Sequence, residues 1–149
     1  MTTEAFDPRE LLANSTLGVL ATIKSDGRPQ LSPVTPFYDR ADEAIYISAT
    51  EGRAKTRNLR RDPRGVLEVT SSDGRSWATA EGSVTIIGPG TDPHGPEVEA
   101  LVGYYRAAAG EHPDWDEHPD WDEYRSVMVA DRRVLVTIHV DHVYGERIG

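Results

Sequence analysis

The feature that most constrains this fold is a pattern with a period of two, in which apolar residues occupy every second position. It is clearest in LGVLATIK at 17–24 and in RVLVTIHVD at 133–141. Successive side chains of a strand point to opposite faces, so this period indicates β-strands rather than helices. Ser25-Asp26-Gly27 follows the first segment, and Asp-Gly favours tight hairpin turns because it tolerates positive φ. Antiparallel strands are therefore expected to dominate the chain.

The same patterns predict the remaining elements. Strands are predicted at 17–24, 30–38, 44–49, 65–70, 76–87 and 133–141, and helices at 8–14, 51–62, 97–109 and 122–129. Pro33 and Pro36 lack an N–H, so their strand is expected to lie at a sheet edge or to bend there, and Gly82 is expected to mark a bulge or a bend. Five or six mostly sequential strands favour a small antiparallel barrel. Residues 1–149 are predicted to form a single domain.

Composition excludes several classes of function. The net charge of −9 argues against nucleic-acid binding, because neutralising phosphates requires a basic surface. The chain has no cysteine, so disulfides and thiolate chemistry are excluded. The apolar stretches are shorter than the ~20 residues of a membrane helix, and the first residues do not resemble a secretory signal. We expect a cytoplasmic protein that does not bind membranes.

One short segment, residues 53–64, has the opposite charge. It contains six basic residues and one acidic residue, and it follows a predicted strand that ends near Ser48 and Thr50. Helix N-termini present free N–H groups and a partial positive charge, which suits phosphate. Ser48 and Thr50 are candidate hydrogen-bond donors, and Arg53 and Lys55 are candidate charged contacts. The alternative is a solvated basic helix face, and the pattern alone leaves both interpretations open.

Two further features are candidates for contact with a planar ligand. The edge strand at 30–34 has backbone groups that can pair with the polar rim of a heterocyclic ring, although an ordinary edge strand blunted by prolines is the simpler interpretation. Trp77 follows a turn directly and can wall a pocket at a barrel rim. Core packing is the commoner role of a single tryptophan. Tyr144 has the same two interpretations.

The histidines do not predict a metal site. His112 and His118 lie in an identical tandem repeat, EHPDWD, at 111–122. Their spacing matches no defined metal motif, so no metal is predicted and the repeat is interpreted as a duplication in a surface loop. The sequence contains no catalytic triad pattern and no glycine-rich nucleotide motif. Catalytic residues therefore stay unassigned.

With these residues in place, the sequence resembles the split-barrel flavin-binding proteins related to pyridoxamine 5′-phosphate oxidase. It resembles most closely their actinobacterial branch that uses the deazaflavin coenzyme F420. The matching stretches are LGVLATIKSDGRPQLSPV at 17–34, GRAKTRNLRRDPR at 52–64, WATAEG at 77–82 and DRRVLVTIHVDHVYG at 131–145. The resemblance implies a mainly β, α+β fold: a split β-barrel with short flanking helices. It also implies a homodimer with two cofactor sites at the interface.

The resemblance further implies which residues bind the cofactor. The segment that begins at Ser48 would hold the phosphate, and the ring would lie against the strand at 30–34, near Trp77. The partner subunit would close the pocket from the region of Arg125 and the C-terminal strand. The implied cofactor-binding set is Gln30, Ser32, Pro33, Val34, Ser48, Thr50, Arg53, Ala54, Lys55, Thr56, Arg60, Trp77 and Arg125.

Charge distinguishes the candidate cofactors. FMN carries one phosphate monoester, whereas F420 carries a phosphodiester and a polyanionic oligoglutamate tail. Six basic residues in twelve exceed the need of one phosphate, and Arg57, Arg60 and Arg61 are predicted to follow the tail. The predicted function is hydride transfer between reduced F420 and an unidentified electron-poor small molecule. The alternatives are an F420 carrier or storage protein, an FMN-dependent oxidase or reductase, and a structural barrel without a cofactor.

Overall fold

The computed structural model describes residues 5–111 and 120–148. Within these residues the chain forms seven strands and four helices. The elements are α1 (Pro8–Asn14), β1 (Gly18–Ile23), β2 (Pro29–Val34), β3 (Phe37–Asp39), β4 (Ala44–Thr50), α2 (Ala54–Arg61), β5 (Arg64–Thr70), β6 (Ser76–Ile87), α3 (Pro96–Glu111), α4 (Trp121–Ala130) and β7 (Arg133–Arg147).

The strands form one antiparallel sheet in the order β2-β1-β5-β6-β7-β4-β3. Its two edge strands, β2 and β3, follow each other in the chain and are separated only by Thr35 and Pro36. The sheet therefore curls until its edges approach each other without pairing. This geometry confirms the predicted α+β split barrel.

Two predicted strand boundaries were wrong. The strand predicted at 30–38 is divided into β2 and β3, because Pro36 cannot donate a backbone hydrogen bond and the chain changes sheet edge there. The last strand was predicted to end at 141, but β7 continues to Arg147 along β6. Its second half is largely exposed, so it lacks the apolar alternation that revealed the first half.

A β-bulge shapes the long hairpin of β6 and β7. The pairing register shifts between Glu81 and Gly82, as the sequence predicted. A Cβ atom on Gly82 would lie 1.9 Å from the carbonyl oxygen of His139. Only glycine allows the two backbones to approach this closely, which explains the residue at this position.

Two apolar clusters hold the fold together. The larger fills the barrel and includes Leu20, Ile45, Leu67 and Ile138, each at most 1% exposed. The second cluster packs α3 and α4 against the other face of the sheet around Leu135. Burial of both faces of the first half of β7 makes this strand the wall between the two clusters. It therefore fixes α3 relative to the barrel.

Candidate functional site

A cleft of about 400 Å³ lies where the end of β2, strand β4 and the first turn of α2 meet α3 and the start of β7. Its lining residues are Pro33, Val34, Thr35, Ser48, Lys55, Tyr104 and Arg133. The fold thus brings together residues from both segments that the sequence singled out, 30–34 and the stretch after Ser48. Sequence reasoning missed Tyr104 and Arg133, which come from distant parts of the chain.

The turn between β4 and α2 is held by its own hydrogen bonds. The carbonyl of Thr50 accepts from the Arg53 N–H at 3.2 Å and from the Thr56 hydroxyl at 2.9 Å. Thr56 is fully buried. Because its hydroxyl donates to the carbonyl of Thr50, Thr56 stabilises the turn, and its direct contact with a cofactor stays a prediction. Ser48 lines the cleft two residues before Thr50.

The N-terminus of α2 suits an anion. The helix begins at Ala54, three residues later than predicted, after the extended residue Arg53. No side chain caps this end, and its first turn contains no acidic residue. The first-turn N–H groups and the helix dipole therefore face outward without a competing carboxylate. Ala54 has only its backbone to offer an anion, since its side chain carries no polar group.

Positive charge converges on the cleft without a counter-charge. Burial lowers the pKa of Lys55, and the nearby cations Arg53 and Arg133 lower it further. Among residues 5–111 and 120–148, none of these three forms an ion pair. The Nε of Arg133 is buried and has no hydrogen-bond partner in the described part of the chain. A phosphate group would supply both the missing charge and the missing acceptor.

The other arginines of the basic segment bind within the chain. Arg60 pairs with Glu51 at 2.6 Å and donates to the carbonyl of Gly88, and Arg61 donates to the carbonyl of Ile23. Arg64 pairs with Asp62 at 2.7 Å. Half of the six basic residues are thus already partnered, so the charge offered to a ligand is smaller than the sequence indicated. These pairs are exposed and worth only ~0.2–1 kcal/mol each, so a polyanion can compete for them.

Gln30 and Ser32 connect β2 to α2 through a chain of hydrogen bonds. The Gln30 amide donates to the Ser32 hydroxyl at 2.9 Å, and the Thr22 hydroxyl donates to Gln30 at 3.2 Å. The Asn58 amide, on α2, donates to Thr22 at 3.1 Å in a buried contact. These side chains face the barrel interior and are engaged there. The groups of β2 that remain for a ligand are its outer-edge backbone atoms, and β2 lies at the sheet edge as predicted.

Comparison with known proteins identifies the family that has this architecture. A family profile described as pyridoxamine 5′-phosphate oxidase matches residues 7–145, which is nearly the whole chain. The chain belongs to this family. The pyridoxamine 5′-phosphate oxidase family comprises flavin-binding oxidoreductases, so the cleft is a candidate cofactor site of that class.

Several solved structures share this fold. An F420 reductase is 23% identical, with a TM-score of 0.64, over 96% of this chain and 98% of that one. A conserved hypothetical protein from Mycobacterium tuberculosis is 23% identical, with a TM-score of 0.70, over 93% and 81%. General stress protein 26 from Bacillus anthracis is 17% identical, with a TM-score of 0.60, over 92% and 88%. At these identities the likeness concerns the fold.

Of the thirteen residues that the family resemblance implied, four line this cleft, namely Pro33, Val34, Ser48 and Lys55, whereas Trp77 and Arg125 are among those that do not. The Trp77 ring packs edge-on against Tyr144, with ring centroids 5.8 Å apart. Arg125, on α4, pairs with Glu99 and donates to the carbonyl of Pro93. Both contacts are within one subunit, and a role toward a partner's cofactor stays a prediction.

The described residues add two further observations. They contain no group of three or more histidine, cysteine or acidic side chains arranged to hold a metal ion. None of their helices is both long and apolar enough to traverse a bilayer. Most of the tandem EHPDWD repeat, with His112 and His118, lies outside the described residues.

The lowered pKa of Lys55 predicts a pH dependence of anion binding. Anion binding needs the charged amine, so affinity should fall as pH rises through a value below 10.5, the ordinary lysine pKa. In the ligand-free protein, the contribution of Lys55 to stability should change with pH in the opposite direction to the anion affinity. The unfolded chain holds this proton more tightly, so the contribution of Lys55 to the free energy of unfolding should rise with pH across the same window.

Titration of pyrophosphate or FMN between pH 7 and pH 11 tests this expectation. Lys55→Met should bind weakly and lose the lysine-dependent part of the pH slope. Lys24→Met, which changes an exposed lysine on the β1–β2 turn, serves as the matched control and should keep the wild-type slope. If the anion affinity of Lys55→Met has the same pH slope as that of wild type, Lys55 does not titrate in the site.

Proposed function

We propose that this protein is an F420-dependent oxidoreductase whose cleft holds the phosphate of the deazaflavin. The observation that carries the proposal is the uncompensated pair of cations, Lys55 and Arg133, beside the uncapped N-terminus of α2. Chemistry of this kind recognises a phosphate ester, and the adjoining edge strand β2 offers backbone groups to a planar ring.

Different residues of the cleft would bind the phosphate and the ring of the cofactor. Ser48, Lys55 and Arg133 would hold the phosphate, with the backbone of Ala54. Pro33 and Val34 would lie along the ring. Burial raises the pKa of Tyr104 to about 12, so its hydroxyl stays neutral at physiological pH and cannot act as a base. When bound and reduced, a deazaflavin supplies the hydride; the protein orients it and excludes water.

The choice of F420 over FMN is supported by two observations. Arg53, directly before α2, and Arg57, on α2, are exposed and do not line the cleft, and in the described part of the chain neither forms an ion pair. They can meet an anionic tail that leaves the phosphate site. A solved structure with the same fold is an F420 reductase. FMN is the second candidate, because the compact cluster of Lys55 and Arg133 suits a single phosphate monoester.

Titration with each cofactor separates these candidates. The chain has three tryptophans, so intrinsic fluorescence can follow binding. We expect F420 to bind at micromolar concentration or below, and more tightly than FMN. Tighter binding of FMN would reassign the cofactor, and binding of neither would refute the proposal. Oxidation of reduced F420 in the presence of an acceptor panel then distinguishes an enzyme from a carrier.

We also propose that the protein acts as a homodimer. The outer face of β2, β1 and β5 carries apolar side chains in register, since Leu31 pairs with Ala21 and Ala21 pairs with Val66. Leu31 is 63% exposed, and a groove of about 540 Å³ runs along the same face beside the β6 bulge. A contiguous exposed apolar face is typical of an interaction site, and a second copy is the occupant that the family resemblance implies.

A charge placed on this face should separate the subunits. We expect Leu31→Asp to convert the dimer to a monomer at micromolar concentration in sedimentation equilibrium. Val127→Asp places the same charge at a 41% exposed valine on α4 and should leave the dimer intact. If wild-type protein is a monomer, or if only Val127→Asp dissociates it, the proposed interface is wrong.

A further inference from the structure

We infer that Arg133 is an anion-binding residue of the cleft, a second cation that β7 supplies in addition to Lys55 of α2. This inference rests on the proposed function in one respect, namely that the ligand of the cleft carries a phosphate. The family resemblance did not single out Arg133, and nothing in the local sequence pattern distinguishes it from its neighbour Arg132.

The backbone of Arg133 is fixed against the anion-binding turn. Arg133 pairs with Thr50 in the register of β7 and β4, and the Glu51 N–H donates to the carbonyl of Arg132 at 3.0 Å. Arg132 has a φ of 52°, in the left-handed region that non-glycine residues seldom adopt. Its N–H donates to the carbonyl of Val129, which ends α4. These contacts place the first residue of β7 beside the start of α2.

The side chain of Arg133 is held in the cleft without the partners that a structural arginine has. Its Nε is buried and lacks an acceptor among residues 5–111 and 120–148. A buried donor of a charged group without an acceptor destabilises the folded protein, so it calls for an explanation. Arg60, Arg61 and Arg64 provide the contrast, because each donates to a carboxylate or a carbonyl within the chain.

The charged groups around Arg133 indicate that its missing partner is an anion. Its charge lowers the pKa of Lys55, and it also opposes the rise that burial causes in the pKa values of Tyr104 and Tyr124. Among the described residues, the groups whose pKa values its charge shifts are thus one amine and two phenols. Two cations held together repel each other in the ligand-free protein. A phosphate between them would relieve that repulsion.

Arginine and lysine would contribute differently to this site. The guanidinium presents a planar fork that can donate to two phosphate oxygens, whereas the ammonium of Lys55 acts as a point charge. Arg133 would therefore orient the phosphate as well as attract it. Since it lies on β7 while Lys55 lies on α2, the bound phosphate would join two elements that the chain connects only through distant residues.

The test compares Arg133→Met with Arg133→Lys and with Arg147→Met, an exposed arginine at the other end of β7. Probes are F420, FMN and inorganic pyrophosphate, with binding followed by tryptophan fluorescence and by thermal shift. We expect Arg133→Met to lose affinity by about 10- to 100-fold, the range for a hydrogen bond to a charged group. Arg133→Lys should show a smaller loss, and Arg147→Met should match wild type.

Stability without ligand separates binding from structure. We expect the melting temperature of ligand-free Arg133→Met to equal or exceed that of wild type, because the orphaned donor and the repulsion with Lys55 are removed. Wild-type affinity in Arg133→Met, or a melting temperature several degrees lower than wild type, would overturn the inference. If wild type binds neither F420 nor FMN but pyrophosphate protects it more than Arg133→Met, the proposed function fails and the role of Arg133 stands.

Discussion

Replacing Arg53 and Lys55 together with glutamate is expected to reduce the affinity for F420 by roughly 10²- to 10⁴-fold, which corresponds to two lost hydrogen bonds between charged groups. The fold should survive, because neither side chain forms an ion pair within the described part of the chain. Arg53 is exposed and Lys55 only half-buried, so the new carboxylates can be solvated. Fluorescence titration measures the affinity, and circular dichroism checks the fold.

A matched charge reversal controls for the electrostatic field of the whole protein. Lys24→Glu with Arg28→Glu makes the same change on the β1–β2 turn, at the opposite end of that hairpin from Val34. This control should bind F420 with an affinity near that of wild type. Equal losses in both double variants would mean that net charge, rather than the cleft, governs binding. An unchanged affinity in the Arg53 and Lys55 variant would move the phosphate site elsewhere.

Gly82→Ala is expected to lower the free energy of unfolding by about 3–5 kcal/mol, the upper range for a substitution that forces atoms into a packed site. The new Cβ would lie 1.9 Å from the carbonyl oxygen and 2.7 Å from the carbonyl carbon of His139. Both atoms belong to the backbone of β7, so no side chain can move aside. Relief requires β6 and β7 to separate at the bulge. Urea denaturation measures the effect.

Gly52→Ala is the control for this substitution. No atom lies within 4 Å of a Cβ placed on Gly52, and its backbone is not left-handed. We expect the free energy of unfolding to change by less than about 0.5 kcal/mol, as for an ordinary surface substitution. If Gly82→Ala and Gly52→Ala unfold at the same urea concentration, the close approach of β6 and β7 at the bulge is wrong.

Local signals explain why much of the fold could be predicted from the sequence. The bounds of β6 and α1 were predicted correctly, because turns flank β6 and because Asp7 caps α1 and accepts from the Arg9 N–H. The bulge at Gly82 was predicted for a related reason, since glycine inside a strand has few other uses. Such features depend on a few neighbouring residues and can therefore be predicted from the local sequence.

The parts of the site that could not be predicted depend on long-range pairing. Arg133 reaches the cleft only because β7 pairs with β4 in a register that sets it opposite Thr50. The ion pair of Arg60 with Glu51 likewise follows from side-chain packing, and it reduced the charge that the sequence assigned to a ligand. Counting basic residues measures charge; it does not measure how much of that charge is already partnered.

The most direct measurement is a crystal structure of the protein with F420 bound. We predict that the phosphate oxygens lie within about 3 Å of the Ser48 hydroxyl, the Lys55 amine and the Arg133 guanidinium, the distance of charge-assisted hydrogen bonds. The ring should run along the outer edge of β2 at Pro33 and Val34. A phosphate bound outside this cleft, with Lys55 and Arg133 free of it, would contradict the account.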